Sequence, residues 1–154
     1  MEPTVTQVRD LTQARRAAEA LLNELARQGY GEATVFAIRL AVEEGLNNAI
    51  RHGNGSDRSK TVEFAYEVSP DKTVVRITDE GCGFKPQNIP DPTADENLEK
   101  PTGRGITLMR AYMDEVVFSE RGNEIRMVKW NPVYLLLLVK SHVFPKIHFH
   151  LMQE

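Results

Sequence analysis

From Glu32 to about Arg51 the sequence carries one long helical pattern, with Val35, Ile38, Val42, Leu46 and Ala49 on its main stripe and Phe36, Leu40 and Ile50 widening it. A helix apolar over so much of its surface needs a broad partner, which predicts that it lies against a sheet. His52-Gly53-Asn54-Gly55 ends the pattern, and Gly53 is expected to close it as a left-handed cap. The rest of the chain supplies the elements such a layer requires. Val5–Val8 fits a short edge strand. Asp10 stands at an N-cap position with Gln13 three residues on, ahead of a second stripe at Leu11, Ala14, Ala18, Leu21, Leu22 and Leu25 that Gly29 ends. Val62, Phe64, Tyr66 and Val68 alternate with Glu63, Ala65 and Glu67, the period of a strand with one wet face. Ser69-Pro70-Asp71-Lys72 is a turn, and Thr73–Thr78 is the returning strand. Strand alternation sets Val75, Ile77 and Asp79 on one face, so Asp79 leans toward the apolar side where the strand stops.

Lys85–Thr102 is polar and holds four of the eight prolines, Pro86, Pro90, Pro92 and Pro101, as a functional loop or lid does. Gly103-Arg104-Gly105 opens a short helix with Ile106, Met109 and Met113 on its apolar side, and Val116–Ser119 with Glu124–Trp130 forms a closing hairpin. Together these predict an α/β (α+β) two-layer sandwich, with one mixed, mostly antiparallel sheet and helices on one face. A chain of 154 residues accommodates one domain of this kind. The expected division is residues 1–130 for that domain and 131–154 for an extension. The extension contains the apolar run Val133–Val139 and His142, His148 and His150, with no acidic residue between Glu124 and Glu154. It reads as an added strand, an apolar strip covered by a partner, or a loose tail.

A net charge of −3 argues against a broad nucleic-acid surface. The longest apolar run is far below the ~20 residues that span a bilayer as a helix, and Met1–Asp10 has no signal-peptide core, so the expected location is the cytoplasm. Cys82 is the only cysteine, which excludes an internal disulfide.

Three clusters could carry chemistry. Glu44 and Asn48 share one helical face, but Glu43 and Asn47 form the same pair about 100° round the helix, and spacing does not say which pair meets a ligand. Asp79-Glu80-Gly81-Cys82-Gly83 places a strand-end carboxylate before two glycines that let a ligand approach the backbone closely. Thr102-Gly103-Arg104-Gly105 precedes a helix, where free N–H groups and the dipole favour a phosphate. Each alone is more often a solvated pair, a glycine turn or a common Gly-x-Gly.

In this order, with Glu-x-x-x-Asn-Ala-Ile-Arg-His-Gly, Asp-x-Gly-x-Gly and a proline-rich segment closing on Gly-x-Gly, they resemble the GHKL ATPase superfamily of gyrase, histidine kinases and mismatch-repair proteins. Within it they resemble the anti-sigma-factor serine kinases, from about Val5 to Lys129. Pro90-Asp91-Pro92-Thr93 and Met113-Asp114-Glu115-Val116 match that pattern as well. The resemblance implies the histidine-kinase-like ATPase fold, with ATP and Mg²⁺ as cofactors. It assigns Asn48 to Mg²⁺, Glu44 to the general base, Arg51 to a phosphate contact, and Asp79 to adenine. Gly81 and Gly83 become the adenine wall, and Gly103, Arg104 and Gly105 the phosphate end of the lid. It further implies an anti-anti-sigma protein as substrate, a sigma factor as partner, and a homodimer. The alternative is a nucleotide-dependent binding module without phosphotransfer, which has no use for Glu44.

Overall fold

The structure is a computed structural model that describes residues 2–83 and 101–141, excepting the side chains of 101–104. The elements run β1 (Thr4–Val8), α1 (Leu11–Arg27), α2 (Glu32–Asn48), β2 (Val62–Val68), β3 (Lys72–Thr78), α3 (Pro101–Tyr112), β4 (Glu115–Phe118), β5 (Glu124–Trp130) and α4 (Pro132–Lys140). The five strands form one sheet in the order β1-β2-β3-β5-β4. Every neighbouring pair is antiparallel, so the expected mixed sheet is antiparallel throughout its described strands.

Alternation decides which side each strand buries. Phe64, Val75, Ile77 and Met127 are almost wholly excluded from water and meet Leu21, Leu25, Ile38, Val42 and Met109 of the helices. Non-directional burial of apolar surface is what holds such layers together. The layers pack tightly at Gly45, where an added Cβ would stand 2.7 Å from Ile77 Cδ1. A side chain there would have to displace the Ile77 end methyl in the buried layer. Phe36, expected to widen the buried stripe, is instead 54% exposed on the far side of α2 and meets Tyr112 edge-on.

Helix ends follow local chemistry. Asp10 Oδ1 accepts the Gln13 N–H at 2.8 Å, and the Gln13 side chain accepts from the Arg9 N–H, a reciprocal cap displaced by one residue. After α1, Gly29 takes φ +77° and the Tyr30 N–H reaches back to the Leu25 carbonyl, a left-handed terminus. Tyr30 then donates to the Ser69 carbonyl at 2.8 Å, tying this loop to the β2–β3 turn.

Gly53 is not the expected left-handed cap; positive φ falls at Gly55 and Ser56 instead. The α2 backbone widens over Ala49–Gly53 into a π turn, with the Asn54 N–H donating to the Ala49 carbonyl at 2.8 Å. Residues 132–140 are helical, which removes the added strand from the three readings of this segment: Asn131 accepts the Val133 N–H and Pro132 begins the helix. The structure buries none of the residues of α4. Of the lid expected over Lys85–Thr102, all but Pro101 and Thr102, which belong to α3, lies outside the described residues, as do His142, His148 and His150.

Candidate functional site

Two halves of the site meet at the C-terminal end of α2. In the first, Glu44 and Asn48 face the start of α3. A Cβ added to Gly105 would lie 2.8 Å from Glu44 Oε2 and 3.1 Å from Asn48 Nδ2. Both side chains therefore converge on one buried glycine of α3, while Glu43 is exposed to solvent. Of the two equally spaced pairs, this is the one α3 approaches. Thr102, Gly103 and Arg104 lie inside the first turn of α3 rather than ahead of it. The N–H groups of a first turn have no acceptor within their own helix, and the dipole makes that end positive.

The second half is built by the π turn. It brings Gly53 directly under Asp79, so that a Cβ on Gly53 would run into the Asp79 carboxylate. Gly81 is packed as tightly, since a Cβ there would collide with the Gly53 carbonyl. These contacts, not backbone handedness, are why Gly53 and Gly81 are glycines. The Asp79 backbone is fixed on both sides: its N–H donates to the Asn123 carbonyl at 2.9 Å, and its carbonyl accepts from Asn123 Nδ2 at 3.2 Å. Asp79 Oδ1 accepts the Gly81 N–H at 2.8 Å. Burial raises the Asp79 pKa above the ordinary carboxylate value, opposed by the Gly81 N–H and then by the charges of Arg121 and Lys60.

Gly83 has φ +78°, and a Cβ on it would strike the Arg121 carbonyl. Arg121 Nη2 in turn donates to the Gly81 carbonyl at 3.2 Å. The Gly81-Cys82-Gly83 wall thus leans on the β4–β5 turn, which the sequence pattern marks only as a turn. Asn54, Arg121 and Asn123 are the residues that sequence reasoning misses here. Asn54 alone left a trace, a polar residue between two glycines; the partners of Arg121 and Asn123 lie about forty residues away in sequence. Arg51 and His52 are exposed on the π turn, and Cys82 is exposed too.

Asn48 and Gly53 are little more than one helical turn apart, so the carboxamide, Glu44, the α3 N-terminus and Asp79 all border the end of one helix. A phosphate chain suits one end and a base bearing an exocyclic amine suits the other. A single amide oxygen fits Mg²⁺, which keeps several waters and takes few protein ligands beside a phosphate. Among the described residues no cluster of three or more His, Cys, Asp or Glu offers an all-protein metal cage.

Substituting Gly53 by alanine is expected to force the new methyl group against Asp79. Overpacking of this kind costs roughly 1–3 kcal/mol, so urea denaturation should show a loss in that range. A variant with unchanged stability would show that this contact is loose.

A family profile described as the histidine kinase-like ATPase domain matches residues 5–129. The serine-protein kinase RsbW of Bacillus subtilis (strain 168) is 32% identical over 113 residues, covering 68% of this chain and 69% of the relative. An anti-sigma F factor of Clostridium perfringens (strain 13 / Type A) is 35% identical over 99 residues, 60% of this chain and 69% of that protein. The fold resembles a solved structure of the RsbU and RsbW domains of a Mycobacterium tuberculosis protein, with a TM-score of 0.53 at 16% identity over 83% of this chain and 32% of that one. The chain belongs to the histidine kinase-like ATPase domain family, in the group that holds the RsbW serine-protein kinases and the anti-sigma F factors.

Proposed function

We propose that this chain is an Mg-ATP-dependent protein serine kinase of the anti-sigma type, which phosphorylates an anti-anti-sigma protein and holds a sigma factor. The observation that carries the reading is the seating of Gly105 on Glu44 and Asn48, which sets a carboxylate and a carboxamide side by side near the start of α3. Phosphoryl transfer needs little more than positioning and charge neutralisation.

In this reading Asp79 accepts a hydrogen bond from the adenine amine, and Gly81 and Gly83 let the base lie against the backbone. Thr102, Gly103, Arg104 and Gly105 hold the phosphates, with Arg51 as a further contact. Asn48 would hold Mg²⁺, whose charge when bound offsets that of the phosphate oxygens. Glu44 takes the proton of the serine hydroxyl as its oxygen bonds to the γ-phosphorus. The bond from that phosphorus to the β–γ bridging oxygen breaks, and ADP leaves. The kinase is assigned to residues 1–130 and an added segment to 131–154; the resemblance extends the proposal to a homodimer in the cytoplasm. Incubation with labelled ATP and a cognate anti-anti-sigma protein tests it: label on a serine of the partner supports the kinase, and ATP binding without transfer leaves a nucleotide-dependent binding module.

Asp79 offers a separate check. Its folded pKa is raised, so between the ordinary value and the raised one the native state binds more protons than the unfolded state, and this group's contribution to stability falls as pH rises through that window. Asp79→Asn should remove that slope and leave the ligand-free protein at least as stable at pH 7. It should also lower ATP affinity roughly 10–100-fold, the range for a lost hydrogen bond to a charged group. Parallel thermal melts across pH and calorimetric titrations measure both; unchanged affinity would remove Asp79 from the base contact.

A further inference from the structure

The end of α2 and the Asp79 turn are joined by a side chain that touches neither of the proposed ligand groups. Asn54 is 5% exposed, and its N–H, carbonyl and side-chain amide all have partners. Its N–H donates to the Ala49 carbonyl at 2.8 Å and closes the π turn. Its Nδ2 donates to the Thr61 carbonyl at 2.9 Å, at the start of β2. Its Oδ1 accepts the Glu80 N–H at 2.8 Å, one residue beyond Asp79. The Glu80 carboxylate returns to the same place by accepting from the Thr61 N–H and hydroxyl. One buried amide therefore fixes the π turn, the entry to β2 and the turn after β3 against one another.

We propose that Asn54 is a positioning residue for base recognition: it sets Asp79 and Gly81 at the distance from the α2 end that an adenine requires. The inference rests on the nucleotide-site reading above. Its physical basis is the tight stack of Gly53, Asp79 and Gly81, which leaves no room for error. Neither Gly53 nor Gly81 tolerates even a methyl group without displacing its neighbour. Gly53 immediately precedes Asn54, and Asp79 immediately precedes Glu80, so the Asn54–Glu80 bond holds both sides of that stack from one step away. Asparagine suits the position because a single planar group supplies one acceptor and one donor in opposite directions. Its loss would leave the Glu80 N–H and the Thr61 carbonyl without their partner in a half-buried place, where such groups relax toward water or new contacts. The turn bearing Asp79 would move with them.

The test compares wild type, Asn54→Ala and Asn54→Asp for affinity to Mg-ATP and Mg-GTP, with a thermal melt of each. Asn54→Ala removes both side-chain bonds, while Asn54→Asp keeps an acceptor for the Glu80 N–H but turns an oxygen toward the Thr61 carbonyl. In Asn54→Ala the affinity for ATP should fall roughly tenfold or more, the effect of losing such a bond, while GTP affinity hardly changes, so the preference collapses. Asn54→Asp should melt at a lower temperature yet keep most of the preference for ATP. If Asn54→Ala does not fold, the aspartate variant decides alone: a retained preference supports the assignment and a lost one overturns it. Affinities that follow melting temperature across both variants, with the ATP-to-GTP ratio unmoved, would also overturn it by showing a purely structural role. Wild-type protein that binds neither nucleotide, or both alike, would instead fail the underlying reading, and that failure is visible before any variant is made.

Discussion

Glu44→Ala is expected to lower phosphotransfer to a cognate partner roughly 10²–10⁴-fold, the span a positioned general base contributes, with Mg-ATP affinity changed by no more than a few-fold. The two effects separate because Glu44 is assigned to the serine hydroxyl, not to the nucleotide. Its carboxylate does face α3 at Gly105, near the backbone proposed to hold the phosphates. Removing a negative charge there can tighten ATP slightly, so the sign of any affinity change should be favourable. Truncation also empties space beside Gly105, and for that reason Glu44→Gln is the better second variant: it keeps the volume and the contact but cannot take up a proton as a carboxylate does. Glu43→Ala, on the exposed side of the same turn, controls for helix effects. Rapid-quench transfer of label from ATP reads the rate, and calorimetry reads the binding. If both Glu44 variants transfer phosphate at the wild-type rate, the base is another group and Glu44 is only a neighbour of α3.

How far the sequence could lead is visible in the two halves of this site. The pair spacing of Glu44 with Asn48 is legible, but so is that of Glu43 with Asn47, since any two residues four apart share a face. What separates the pairs is the approach of α3 at Gly105, a contact some sixty residues away that periodicity does not encode. The strand-end position of Asp79 follows from alternation through Val75 and Ile77 and is found as expected. The reason for its glycines does not follow, because handedness is a local property and the packing of Gly53 on Asp79 is not. Gly53 was expected to be a left-handed cap on the strength of its place after a helix; the π turn supplied a different use for the missing side chain. The sheet shows the same division. Hairpin β2–β3 and the β4–β5 pair can be read from turns and alternation, whereas the insertion of β5 beside β3 is a tertiary choice. For α4 the sequence leaves several readings open: a seven-residue apolar run does not distinguish strand from helix by its period, whereas Asn131-Pro132 is a helix-start pair.

Asn48→Ala should abolish the Mg²⁺-dependent share of ATP binding, and this asks more of the site than any other substitution. Loss of a mere outer-shell partner costs a metal site roughly 10–100-fold in affinity, so removing the proposed protein oxygen itself should cost at least the upper end of that range. The cause is the small number of ligands Mg²⁺ takes from protein when phosphates and waters fill the rest of its shell. One oxygen then carries the whole preference for the metal-bound nucleotide. Asp79 belongs to the other half of the site and is held by Gly81 and Asn123, so the base contact should survive the change. The expected result is therefore a convergence: in wild type, titrations in Mg²⁺ and in EDTA give different affinities for ATP, and in Asn48→Ala the two curves coincide at the weaker value. Asn48→Asp sharpens the point, because a carboxylate binds the ion at least as well but stands beside Glu44 at the same glycine, and two like charges so close disfavour each other until a cation lies between them. That variant should depend on Mg²⁺ more steeply than wild type, not less. Full Mg²⁺ dependence in Asn48→Ala would move the metal to ligands outside α2, and with it the assignment of Glu44 as the base beside the transferred phosphate.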